Sequence, residues 1–155
     1  MNLQQPIQFG SDDEMDLRQI FSIAGGIFFI YVGVMHFTDT SWFEPIVPPM
    51  FGSATFWVLA SGIVEIGVGL GLIIPHSREI AGLLSAILLV LLYPANLYMW
   101  INDVELGDGA SLSSTGHIVR LFLQIGGIML SLWIAGWSRD KSIFDLTRQI
   151  IQIRK

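Results

Sequence analysis

The chain has 155 residues, enough for one domain, and only 14% of them are charged, whereas a soluble domain carries roughly 25%. Its apolar fraction is 52% and its mean hydropathy is +0.61, which indicates a protein whose solvent is lipid. A formal net charge of −5 argues against a nucleic-acid partner. Because the chain contains no cysteine, disulfides, thiolate metal sites and thiol redox chemistry are excluded.

The N-terminal segment, residues 1–17, is polar and acidic. Such a segment buries too little apolar surface to fold, so it is expected to be a disordered tail. It lacks the basic start and the small-residue cleavage site of a signal peptide, so no signal peptide is expected.

Four stretches reach the length of about 20 mostly apolar residues that a membrane-spanning helix needs. They are residues 20–37, 54–74, 80–100 and 117–137. The sequence therefore predicts an all-α fold, an integral membrane four-helix bundle, with a transmembrane domain over residues 18–137.

The distribution of Lys and Arg among the connections predicts the orientation of the bundle. Arg18 precedes the first span, Arg78 lies between the second and third, and the other flanking basic residues follow residue 137. The connections 38–53 and 101–116 contain no Lys or Arg. Cytoplasmic loops carry the excess of basic residues, so both termini are expected in the cytoplasm and the protein is expected in the cell (inner) membrane as a multi-pass protein.

The first long connection, residues 38–53, contains three prolines and several large apolar side chains. Proline prevents a regular helix there. Because an apolar loop gains little by extending into water, this one is expected to fold back as a cap over the outer end of the bundle.

The C-terminal segment, residues 138–155, places Ile143, Leu146, Ile150 and Ile153 on one helical face and basic residues on the other. This pattern predicts an amphipathic helix. Two locations remain open for it: the inner membrane surface, where it would meet anionic headgroups, or a position docked on the bundle or on a neighbouring chain.

A small set of polar side chains falls within the predicted spans, where an ionisable group costs about 2.5–3.5 kcal/mol and normally faces protein or a water-filled cavity. By helix geometry Arg120 lies about 5 Å and Glu65 about 16 Å below the outer boundary, so an ion pair between them is within reach. The sequence predicts a buried polar cluster or ligand-binding pocket around this pair, formed by His36, Glu65, Asn96, Arg120 and Gln124.

Small-xxx-small pairs fall in the inner half of each span, whereas aromatic residues and Pro94 lie in the outer half. This distribution predicts tight packing inside and a bundle that opens toward the outer face. The polar cluster could either fix helix register or bind a ligand. No metal-ligand spacing supports a metal site, and no nucleophile–base arrangement identifies a catalytic residue.

Five motifs lie within residues 33–124: "GVMHF" and "FEPIVPP", then "SGIVEIGVGLGLIIPHSREIAG", "LYPANLYMW" and "RLFLQ". Together they resemble the DoxX-like family of small four-helix membrane proteins. The resemblance implies a four-helix inner-membrane protein and little about activity. The family takes its name from a membrane component linked to quinone-coupled sulfur-compound oxidation, so a quinone is the one cofactor that the resemblance suggests. Thiol redox work would need cysteines, which this chain lacks.

Three functions are compatible with these patterns. The first is an accessory or binding protein that holds a small amphipathic ligand, or the helix of a partner, in a polar pocket open to the outer face. The second is a quinone-linked redox subunit in which Glu65 and His36 relay protons. The third is a structural or assembly factor. The expected partners are membrane lipid and a protein in the membrane, either another chain or a second copy. The absence of a cofactor motif weighs against an enzyme.

Overall fold

The computed structural model describes residues 17–136, and within this range the chain is helical with no strand. Four helices are long and apolar enough to cross a membrane, which confirms the all-helical prediction and the four candidate spans. The predicted acidic tail, apart from Leu17, and the predicted C-terminal helix lie outside the described residues. The helices are α1 (Leu17–Thr38), the short α2 (Thr40–Phe43), α3 (Ala54–Ile73), α4 (Arg78–Ile101) and α5 (Ser114–Ile134), with 3-10 turns at Glu44–Ile46 and Pro49–Phe51.

Local sequence signals account for the starts of two long helices. The hydroxyl of Ser53 accepts a hydrogen bond from the N–H of Phe56 at 3.3 Å, and that of Ser113 accepts one from Gly116 at 3.2 Å. Each serine thus caps free N–H groups in the first turn of α3 or α5. In α4 the helix continues through Pro94, which has no N–H to donate to the preceding turn.

Helices α1 and α3 approach closely because glycines on each face the backbone of the other. A Cβ placed on Gly26 would lie 2.6 Å from the carbonyl oxygen of Gly69, and one on Gly69 would lie 2.6 Å from that of Gly26. Two turns further along, a Cβ on Gly33 would lie 2.8 Å from the carbonyl oxygen of Gly62. These glycines let the two antiparallel backbones touch, as small residues do in membrane helix pairs.

Helices α4 and α5 approach closely near one end. A Cβ on Gly82 would lie 2.7 Å from the backbone nitrogen of Ala135 and 2.9 Å from the carbonyl oxygen of Ser131. This contact lies near the end of the bundle that carries the 74–77 connection, called here the short-turn end. Between α4 and α5 this close contact lies at the end that the small-residue pairs predicted. Between α1 and α3 close packing is not confined to that end, since Gly33 also meets Gly62 near the opposite end.

Arginines bind the last carbonyls of two helices at the short-turn end. Nε of Arg18 donates to the carbonyl of Ile134 at 2.9 Å, and its Nη2 lies 3.8 Å from the carboxylate of Glu79. Nε of Arg78 donates to the carbonyl of Leu72 at 3.4 Å. Cations at these positions are stabilised by the negative, C-terminal ends of the α5 and α3 dipoles.

At the opposite end, called the long-loop end, the two long connections contact each other. The N–H of Gly107 donates to the carbonyl of Trp42 at 3.1 Å, and a Cβ on Gly107 would overlap the carbonyl of Ser41. Hydrogen bonds from the N–H of Ala110 and the side chain of Trp42 hold the pKa of Asp108 below its usual range. In the first connection, the side chains of Phe43 and Ile46 are buried.

The α1–α3 contact predicts opposite effects for two glycine substitutions on one helix. Gly69→Ala forces a methyl group into the backbone of α1 and is expected to destabilise the protein by about 1–3 kcal/mol. Gly67→Ala is the matched control, because a Cβ there meets nothing within 4 Å. It should be neutral or stabilise the helix by up to about 1 kcal/mol. Unfolding of the purified protein in detergent measures both, and equal stabilities would contradict the glycine contact.

Candidate functional site

His36 and Glu65 meet between α1 and α3, and both side chains are buried, with 7% and 3% of their surface exposed. Nδ1 of His36 lies 2.8 Å from the carbonyl oxygen of Val32 and 3.6 Å from Oε2 of Glu65. A carbonyl oxygen only accepts, so Nδ1 carries a hydrogen and donates it to Val32. Within residues 17–136, Oε2 of Glu65 therefore lies beside the imidazole without a hydrogen bond of its own.

Groups from α2 and α3 enclose this pair. The ring of Phe43 stacks on the imidazole of His36, with centroids 4.0 Å apart and an interplanar angle of 16°. The hydroxyl of Thr40 donates to the carbonyl of His36 at 2.7 Å. A Cβ on Gly62 would lie 2.8 Å from that of His36, so this glycine leaves the room that the histidine occupies. The first long connection and the glycine contact thus hold His36 against α3.

Asn96 and Gln124 form a second polar group, between α4 and α5. Nδ2 of Asn96 donates to Oε1 of Gln124 at 2.7 Å, and Nε2 of Gln124 donates to the carbonyl of Leu89 at 2.6 Å. Both ends of the buried Gln124 amide are therefore engaged, which fixes its orientation.

Arg120 lies on the same face of α5 as Gln124 and is partly buried. Its Nη1 donates to Sδ of Met99 at 3.0 Å, and Met99 is fully buried. Among the described residues no carboxylate lies within 4 Å of the guanidinium. The predicted ion pair between Arg120 and Glu65 is therefore wrong. Depth along a helix allowed that pair, but the close contact of α1 with α3 puts His36 beside Glu65 instead.

The α4–α5 seam opens into a cleft over the half of the bundle nearest the long-loop end. The rings of Trp100 and His117 stack across this seam, 5.6 Å apart and inclined by 3°. The cleft is narrow, with a cavity volume of about 10 Å³ inside about 230 Å³ of empty space that is partly open to the outside. Its lining consists of Tyr93, Asn96, Leu97 and Trp100 from α4, and His117, Arg120, Leu121 and Gln124 from α5.

The predicted polar cluster thus divides into two groups. Asn96, Arg120 and Gln124 line the cleft, whereas His36 and Glu65 lie between α1 and α3 and do not line it. Sequence reasoning missed the stack of Trp100 on His117, and the only available signal was that both residues stand at span ends. Within residues 17–136 no group of three or more His, Asp or Glu side chains is placed to hold a metal ion.

The fold and the cleft define a class of protein. It is a small all-helical protein with four helices able to cross a membrane and a polar cleft within one helix pair. The chain belongs to the family described as Domain of unknown function (DUF8561), whose profile matches residues 26–135, from within α1 to the end of α5. No curated protein and no solved structure matches the sequence. The resemblance to the DoxX-like family stays a prediction.

The observed contacts predict how paired substitutions combine. The changes Glu65→Gln and His36→Gln should show a coupling energy of about 0.5–3 kcal/mol, because the two side chains touch. In a parallel cycle, Glu65→Gln and Arg120→Gln should be nearly additive, because these residues share no contact. The measurement is the free energy of unfolding in detergent for each single and double variant. Stronger coupling of Glu65 to Arg120 than to His36 would contradict this arrangement.

Proposed function

We propose that the protein is an accessory or binding protein of the membrane that holds the head group of a small amphipathic ligand in the α4–α5 cleft. The observation that carries this proposal is the cleft itself, in which an ordered amide pair and a guanidinium face an open space between two apolar helices. Polar groups at membrane depth cost free energy and mark binding sites unless they serve structure alone.

The cleft is too small to enclose a whole ligand molecule, so the proposal is limited to a head group that binds at its mouth. Pockets that enclose small molecules measure about 300–1,000 Å³, whereas the cavity volume of this cleft is about 10 Å³, roughly the room that one water molecule needs. An amphiphile would place its polar head between Asn96 and Arg120. Its apolar body would lie along the exposed apolar surface of the helices, which includes Leu91 and Phe122.

The orientation follows from the basic residues and forms part of the proposal. Arg18 and Arg78 lie at the short-turn end, and the long connections 38–53 and 102–113 carry no Lys or Arg. By the positive-inside rule both termini would then lie in the cytoplasm, and the protein would lie in the inner membrane. The cleft would open toward the outer face, with the buried Phe43 and Ile46 anchoring the first connection as a cap. The resemblance to the DoxX-like family, which implies a four-helix inner-membrane protein, agrees with this proposal.

A second candidate is the quinone-linked redox subunit, and the contact between His36 and Glu65 favours it. Their 3.6 Å separation is beyond direct hydrogen-bond reach, so a proton would pass between them through one water or after a small shift. However, neither residue lines the α4–α5 cleft, so a quinone head bound there would not contact them. Binding without a proton relay therefore accounts for more of the geometry.

The binding proposal predicts a defined molecule in the purified protein. After gentle extraction, mass spectrometry should detect about one amphiphile per chain. Leu97→Trp places a large ring in the cleft and should remove that molecule. Leu84→Trp is the matched control, because it makes the same change on the same helix at a side chain that is 45% exposed and does not line the cleft. It should retain the ligand.

Three other results would change the conclusion. Equal retention in both variants would place the ligand elsewhere on the protein. Quinone as the retained molecule, with loss of activity in Glu65→Gln, would support the redox alternative. A protein present at one copy per chain, with no small amphiphile, would support the assembly factor.

The proposed orientation predicts which engineered cysteines are accessible from outside the cell. The chain has no cysteine, so single substitutions carry no background. Ser111→Cys lies in the second long connection and His76→Cys in the short turn, and both positions are exposed. In intact cells an impermeant thiol reagent should label position 111 and spare position 76. The reverse pattern would invert the orientation.

A further inference from the structure

The guanidinium of Arg120 lies in the cleft without a negative partner. It has five N–H donors, and its one hydrogen bond within residues 17–136 goes to Sδ of Met99. A thioether is a weak, neutral acceptor, so this contact does not neutralise the charge. A cation at membrane depth usually pairs with a carboxylate or a backbone carbonyl. Arg120 therefore has a charge and donors that the described part of the chain leaves unmatched.

The carboxylates of the described residues lie elsewhere. Glu65 is beside His36, and Glu79 is 3.8 Å from Arg18. The carboxylate of Asp108 accepts from the N–H of Ala110 at 3.0 Å. The other acidic residues of this range, which are all in or beside the long connections, are Asp39, Glu44, Asp103 and Glu105. None comes within 4 Å of Arg120, so a counter-charge for Arg120 would come from outside this part of the chain.

We infer that the ligand of the α4–α5 cleft is an anionic amphiphile whose carboxylate or phosphate head binds Arg120. This inference rests on the proposed binding function and adds the charge of the ligand. A guanidinium presents N–H groups in a planar fork that matches two oxygens of a carboxylate or a phosphate. Both heads share this chemistry.

The position of Arg120 explains why the anion carries an apolar tail. Arg120 is six residues into α5, about 9 Å from the start of the helix at 1.5 Å per residue. A free anion would lose its hydration on entering the cleft, and only the guanidinium and the amides would offset that loss. An amphiphile gains in addition from its tail, which stays in contact with apolar surface such as that of Leu121 and Tyr93.

The test measures binding of four probes to the full-length protein in a non-ionic detergent, by the change in tryptophan fluorescence. The probes are laurate, its neutral methyl ester, dodecyl phosphate and inorganic phosphate, at a pH where laurate is ionised. Laurate or dodecyl phosphate should bind about 10–100 times more tightly than methyl laurate, the ratio expected for a charge-assisted hydrogen bond. Inorganic phosphate should bind at least tenfold more weakly than dodecyl phosphate.

Each contrary result has a separate meaning. Equal affinity for laurate and its methyl ester would overturn the anionic head while leaving the binding function intact. Equal affinity for inorganic and dodecyl phosphate would overturn the amphiphile and leave a simple anion site. Failure to bind any of the four probes would overturn the inference, and the extraction experiment would then decide the binding function separately. These comparisons use the wild-type protein and do not depend on a variant that folds.

A substitution then assigns the effect to Arg120. Arg120→Met should lower the affinity for laurate and dodecyl phosphate at least tenfold and leave that for methyl laurate unchanged. Arg78→Met is the control, because it removes an arginine at the short-turn end, where it binds the carbonyl of Leu72. It should preserve the preference for anions. Loss of that preference in Arg78→Met, and not in Arg120→Met, would move the site to the opposite end of the bundle.

Discussion

The close approach of α1 and α3 is the contact on which the rest of the bundle depends. In lipid, apolar side chains gain little by leaving one apolar surface for another, so helices associate through shape and hydrogen bonds. Gly26 and Gly33 on α1 meet Gly69 and Gly62 on α3, and at each level a Cβ would reach the opposite backbone. This approach fixes which faces of α1 and α3 are internal. It thereby places His36 and Glu65, which lie on those faces, side by side.

The division of the polar residues follows from that packing. With α1 held against α3, His36 lies beside Glu65, and Phe43 covers the imidazole. Arg120 is left on the α4–α5 side with a thioether as its hydrogen-bond partner. Within residues 17–136, Oε2 of Glu65 is thus left without a hydrogen bond, and Arg120 is left without a carboxylate within 4 Å. A buried polar group without a partner destabilises the folded protein. Of these two groups only Arg120 borders the partly open cleft, so Arg120 is the better candidate for contact with a ligand.

Helices α4 and α5 also approach through a small residue, but at a different place along their length. Gly82 brings the two backbones together near the short-turn end. Toward the long-loop end the side chains between the helices are bulky, and Trp100 stacks on His117 across the seam. The small cleft lies beside these rings, lined by residues of both helices. The amide of Gln124 closes its deep end through the carbonyl of Leu89.

The sequence by itself determined the lipid-like character of the chain, the helical class and the four candidate spans. These follow from the length and hydropathy of each segment, which do not depend on its neighbours. The sequence also identified the polar residues at membrane depth. It did not determine their partners, since counting residues along a helix yields a depth but neither the rotation of that helix nor its neighbour. Only the tertiary structure decided that Glu65 meets His36 while Arg120 faces the cleft. The physical reason is that glycines, which contribute no side chain to a hydropathy pattern, set the distance between α1 and α3.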